Sequence, residues 1–89
     1  MSTRYFVTYS GVKLPLKLVG PLQDADVHRR NTYIRAEFDD ADRLIGVEKL
    51  VYGDVELTHR YDYDADGRLA TARITMDGET TVMTFGAAD

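Results

Sequence analysis

The stretch "YDYDADGRL", Tyr61 to Leu69, admits two readings. Asp62, Asp64 and Asp66 alternate and Gly67 follows them, which is how a calcium-binding loop begins. The same residues describe a tight turn between two β-strands. Asp64 would accept backbone hydrogen bonds there, and Gly67 would supply the left-handed residue of a three-residue hairpin loop. A calcium loop counted from Asp62 needs a bidentate glutamate at its twelfth position, and Arg73 stands in that place. It also needs helical flanks. The preceding "VELTHRYDY" has a period of two instead: Val55, Leu57, His59, Tyr61 and Tyr63 fall on one face, and Glu56, Thr58, Arg60 and Asp62 on the other. The turn is the stronger reading, with Asp62, Asp64 and Asp66 kept as minor candidates for a divalent metal.

Working outward, the period of two continues. "VKLPLKL" turns Val12, Leu14, Leu16 and Leu18 inward; Pro15 cannot donate to a ladder, so this strand belongs at an edge. "YIRAEF" groups Ile34, Ala36 and Phe38. "RLIGVEKLVY" puts Ile45, Val47 and Val51 opposite Leu44, Leu50 and Tyr52, so either both faces are partly covered or a bulge near Gly46 resets the alternation. "LATARITM" offers Ala70, Ala72, Ile74 and Met76 as an inner row, and "TTVMTF" offers Met83 and Phe85. Ser10-Gly11, Gly53-Asp54 and Asp77-Gly78 mark short hairpins, too short for parallel crossovers. In the long link "VGPLQDADVHRRNT", Asp24 can cap a short helix running to about Arg30 and ended by Asn31. The expected architecture is mainly β: an antiparallel meander of about seven short strands, twisted or partly barrel-like. One short helix lies between the second and third strands, and residues 1–89 form a single β-rich domain.

Shifting the sequence by 25 residues lays Phe38-Asp39 on Tyr63-Asp64, Arg43-Leu44 on Arg68-Leu69 and Gly53 on Gly78. The second acid, Asp64, is retained as Asp39, but Asp66 and Gly67 become Ala41 and Asp42. What both copies keep is an acid followed by Arg-Leu, which is a turn signature. "YDADGRL" resembles the YD repeat of RHS-type bacterial proteins over residues 33–85, through Tyr63, Asp64, Gly67, Arg68 and Leu69. Those proteins stack many such hairpins into a shell. Two copies cannot build one, so the resemblance implies the hairpin unit alone. The remainder, "YFVTYSGVKLPLKLVGPL" with "RNTYIRAEFD", resembles short uncharacterised bacterial proteins known only as a domain of unknown function. That resemblance implies no activity or site residues.

Composition narrows function by exclusion. Hydrophobic residues make up 44% and charged residues 29% of the chain, as in ordinary globular proteins. With no cysteine there is no disulfide, thiol nucleophile or thiolate zinc site, and a cytoplasmic setting is expected. A net charge of −4 argues against nucleic acid as a partner. No run approaches the roughly 20 apolar residues of a membrane span. No serine has a histidine and an acid at recognisable spacing, and there is no phosphate loop or dinucleotide fingerprint. An enzyme is the least favoured reading, and no cofactor is implied.

The expected role is that of a non-catalytic binding protein contacting another protein or a second copy of itself. The alternative is a ligand- or metal-binding module built on the Asp62–Gly67 turn. For contact with a partner the candidates are Tyr5, Tyr33 and Tyr52, because a small sheet cannot bury two faces and tyrosine is a favoured interface anchor. His28, Arg29 and Arg30, extended by Arg35, make a small basic cluster suited to an acidic partner; its bland reading is a solvated helix end. His59, on an apolar strand face between Leu57 and Tyr61, reads as a hydrogen-bonded core histidine.

Overall fold

In the computed structural model, which describes residues 2–10 and 14–85, two turns of one build organise the second half of the chain. In the later one the Asp64 N–H donates to the Arg68 carbonyl (2.8 Å) and the Gly67 N–H to the Asp64 carbonyl (3.0 Å). Asp64 Oδ1 accepts the N–H groups of Asp66 (2.9 Å) and Arg68 (3.0 Å), and Gly67 takes a φ of 80°. In the earlier one Asp39 N–H meets the Arg43 carbonyl (3.0 Å) and Asp42 N–H the Asp39 carbonyl (2.9 Å). Asp39 Oδ1 accepts from Ala41 and Arg43, both at 2.9 Å, and Asp42 takes a φ of 65°. Each is a type I turn closed by a left-handed residue. The sequence repeat is therefore a repeat of hairpin geometry. Asp42 stands where the second copy has glycine, at a cost of roughly 1–2 kcal/mol.

These turns sit in a seven-stranded sheet. The strands are β1 (Ser2–Ser10), β2 (Lys17–Leu22), β3 (Thr32–Phe38), β4 (Leu44–Val51), β5 (Asp54–Tyr63), β6 (Leu69–Met76) and β7 (Glu79–Thr84), with helix α1 (Asp24–Val27) between β2 and β3. The spatial order is β2-β1-β3-β4-β5-β6-β7 and every pairing is antiparallel. The sheet is open, since among the described residues β2 and β7 do not pair. Its radius of gyration, 13.6 Å, exceeds the roughly 12 Å of a typical compact chain of this length. No helix is long and apolar enough to cross a membrane among the described residues.

One face carries the core. Ile34, Ala36, Leu44, Val47, Tyr61 and Ala72 are buried on it together with Leu16, flanked by Phe6, Tyr9, Leu14, Leu18, Phe38, Tyr63 and Leu69. Leu16 comes from the segment before β2, yet its N–H donates to the Tyr61 hydroxyl of β5 at 3.2 Å. In a flat sheet β2 and β5 would lie about 19 Å apart, four strand spacings. The sheet must curl, and the Leu14–Leu16 segment must fold across the core face, to make this contact.

Several boundaries differ from the sequence expectation, each for a local reason. β2 starts at Lys17, so Pro15 and Leu16 precede the strand, and Leu16 uses its N–H on Tyr61 instead of a ladder. Val12, Lys13 and Gly11 of the Ser10-Gly11 signal lie outside the described residues. α1 ends at Val27, short of Arg30, and the residue before it is Gln23, whose N–H is taken by the Asp26 carboxylate at 3.3 Å. The β4–β5 turn is Tyr52-Gly53, one residue earlier than Gly53-Asp54, with φ of 51° and 85°; two left-handed residues match the twist of a two-residue hairpin.

Both explanations offered for the mixed pattern of β4 hold. Pairing shifts between Glu37 and Phe38, leaving Ile45 as the extra residue and bringing Leu44 onto the core face. Leu50, on the opposite face, is buried as well. A second shift between Lys49 and Leu50 sets Val55 opposite Leu50, away from the Leu57 row where alternation placed it.

Candidate functional site

The face opposite the core is polar and is ordered by ion pairs. Direct cross-strand pairing puts Tyr5 beside Arg35, Arg35 beside Glu48, and Glu37, Gly46 and Arg60 in one row. Arg35 meets Glu48 at 2.7 Å, and Arg60 reaches Glu37 at 3.7 Å across Gly46. A side chain at Gly46 would begin 2.7 Å from the Arg60 guanidinium, so glycine there leaves room for the bridge. Arg35, which at the sequence level extends the basic cluster, is thus engaged with Glu48.

At the α1 end of this face lies an open concavity of about 670 Å³. Tyr5 of β1 and Tyr33 of β3 form its floor, packed edge-to-face with ring centroids 5.9 Å apart. α1 and the turn after it contribute Asp24, Val27, His28 and Arg30, and Gly53 closes the rim from the β4–β5 turn. Arg30 is oriented by its Nε donating to the Thr32 carbonyl at 3.1 Å. The Tyr52 N–H donates to the Asn31 carbonyl at 2.6 Å, tying the β4–β5 turn to the link that carries the basic cluster.

Four of the six partner-contact candidates, Tyr5, Tyr33, His28 and Arg30, therefore line one concavity. Arg29 is exposed beside it, and Tyr52, 75% exposed, stands at the neighbouring turn outside the lining. Asp24, Val27, Thr3 and Gly53 were not foreseen as lining residues. Thr3 arrives with β1, Asp24 and Val27 with α1, and Gly53 with the β4–β5 turn, which the Tyr52–Asn31 hydrogen bond ties to the α1–β3 link; these are long-range placements with no local sequence signal.

The acidic candidates are placed differently. Asp62 belongs to β5, Asp64 Oδ1 is held by two backbone N–H groups, and Asp66 is exposed on the turn. Among the described residues no three His, Cys, Asp or Glu side chains gather as a ligand set.

The remaining polar cluster lies inside the core. His59, 5% exposed, brings Nδ1 to 2.7 Å from the Tyr61 hydroxyl. Because that hydroxyl accepts the Leu16 N–H, its own proton is free to go to Nδ1, an arrangement that suits a neutral imidazole. Burial pushes the His59 pKa below its ordinary value and the Tyr61 pKa up to about 12. For His59 the sign follows from proton counting. The unfolded imidazole takes a proton near 6.5 while the folded one resists it. Stability is therefore complete above about pH 6.5 and falls as the pH drops below it. Urea unfolding at a series of pH values from about 7.5 to 5 should show this loss, and His59→Gln should flatten it; equal slopes in the two proteins would refute the assignment.

Comparison with known proteins places the whole chain in one family. The chain belongs to the Family of unknown function (DUF6156), whose model matches residues 1–89. No curated protein and no solved structure matches it.

Proposed function

We propose that this member of a family of unknown function works by binding a protein partner, without chemistry of its own, through the Tyr5–Tyr33 concavity. The observation that carries the reading is the meeting of an aromatic pair with the basic turn of α1 in one open hollow. Tyrosines give large contact area at low entropic cost, and Arg30 and Arg29 add charge at the rim. Among the described residues neither arginine has a carboxylate partner, on a chain whose net charge is −4. An acidic segment of another protein would pair its carboxylates with these two arginines, and Asp24 on the same wall would orient it. The hairpins themselves we read as units of the YD type, a reading supported by the duplicated turn geometry, and they serve as scaffold.

A divalent cation on the Asp62–Gly67 turn has less support, because the Asp64 carboxylate already serves two backbone donors. Catalysis has less still, since His59 points its Nδ1 at a core tyrosine.

The test is affinity capture from cells of the source organism with the wild type, Tyr33→Ala and Arg30→Glu. A partner should be retained by the wild type and bind both variants about tenfold or more weakly. Its binding should also weaken with salt. Equal capture by all three would sink the proposal.

A further inference from the structure

The two edges of the sheet are built differently. β2 is guarded: Gly20 takes a φ of 74° with Val7 packed against it, Pro21 has no N–H, and Lys17 is charged. β7 has a charge only at its first residue, Glu79, and neither a proline nor a left-handed residue. Its pairing with β6 runs from Met76↔Glu79 to Thr71↔Thr84 without a register shift, and every residue is exposed. From Thr80 through Phe85 the sequence is TTVMTF, with no charge, proline or glycine. Val82, Met83 and Phe85 are 55%, 40% and 36% exposed.

The parity of the strand shows which groups are open. The Phe85 N–H donates inward to the Ala70 carbonyl. By alternation Met83, Thr81 and Glu79 also face β6, while Thr80, Val82 and Thr84 turn their N–H and C=O groups outward. Those three residues are symmetric about Val82. A second β7 running antiparallel, with a twofold axis through Val82, would pair Thr80 with Thr84, Val82 with Val82 and Thr84 with Thr80. All six outward groups of each copy would be satisfied.

The side chains suit the same axis. On the Val82 face the opposed pairs are Thr–Thr and Val–Val, which favour sheets. On the core side Met83 meets Thr81, and Phe85 meets Glu79, so no carboxylate opposes its like. The twofold lies perpendicular to the sheet, so the core faces of both copies run on into each other and cover Met83 and Phe85.

We propose that β7 is a self-association edge, pairing antiparallel with β7 of a second copy about Val82 to give one continuous sheet. With the β2 edge guarded, the contact closes at two copies and does not propagate. This interface uses residues remote from the Tyr5–Tyr33 concavity, so each proposal can fail alone.

Sedimentation equilibrium over a concentration series should give a mass approaching twice the 10.0 kDa of the chain. Val82→Lys places two lysines on the axis and should raise the dissociation constant tenfold or more with the melting temperature of the monomer retained. Val82→Glu should do the same, and an equimolar mixture of the two variants should restore the dimer. Val82→Cys introduces the only cysteine of the chain, and hydrogen-bonded partners about 5.5 Å apart at Cα can form a disulfide, so mild oxidation should give a covalent dimer. A monomer at every concentration would overturn the proposal, as would a dimer indifferent to Val82→Lys or a mixture that stays monomeric.

Discussion

Replacing Tyr61 by phenylalanine is expected to destabilise the fold by about 2–5 kcal/mol, although it removes one oxygen from a buried ring. The ring keeps its place in the core beside Ala72, so the loss comes from what the hydroxyl serves. Leu16 N–H and His59 Nδ1 would both be left in the core without their partner, each at roughly 1–3 kcal/mol. A chain of this length has about 4–13 kcal/mol of stability in total, so the melting temperature should fall by roughly 10 °C or more. Urea titration measures the loss. Adding His59→Leu to Tyr61→Phe removes one of the orphaned groups, so the double variant should lose less than the sum of the singles. Additive losses would mean that the three groups do not act together. Loss of a tyrosine titrating near pH 12 from the ultraviolet titration is an independent check.

Gly67→Val is expected to cost about 1–3 kcal/mol, because valine resists the left-handed conformation that residue 67 holds at a φ of 80°. The first copy supplies the opposite experiment. Asp42 holds the same conformation at 65°, so Asp42→Gly should relieve strain of about 1 kcal/mol. The relief is set against the exposed Arg4–Asp42 ion pair at 2.6 Å, which is worth about 0–1 kcal/mol. The two substitutions should thus move the melting temperature in opposite directions. A neutral Gly67→Val would refute the turn geometry on which the repeat rests.

The period of two and the turn residues made the meander legible because both are local. Asp64, Gly67, Arg68 and Leu69 announce their hairpin, and the shift of 25 residues finds its twin. What stayed hidden is whatever two distant segments decide together. Val55 is displaced by a bulge that depends on how β5 meets β4. Leu16 leaves its strand because Tyr61, 45 residues on, offers its amide a better partner. The concavity needed the register of β1 on β3 to bring Tyr5 next to Tyr33. Its tyrosines and basic residues could be named from type alone, but their assembly could not.

The segment that crosses the core face has a consequence for motion. Among the described residues no second sheet covers that face; Leu14 and Leu16, which belong to no strand, pack on it. Lifting these two breaks no strand ladder, whereas separating any two strands does. The sheet can therefore remain whole while its apolar side opens. Such partial openings lie at lower free energy than global unfolding. The Leu16 amide, held by a side chain outside any ladder, is the natural reporter of that event: its hydrogen exchange follows the breathing of the cover, while the amides of β4 and β5 follow the fate of the whole.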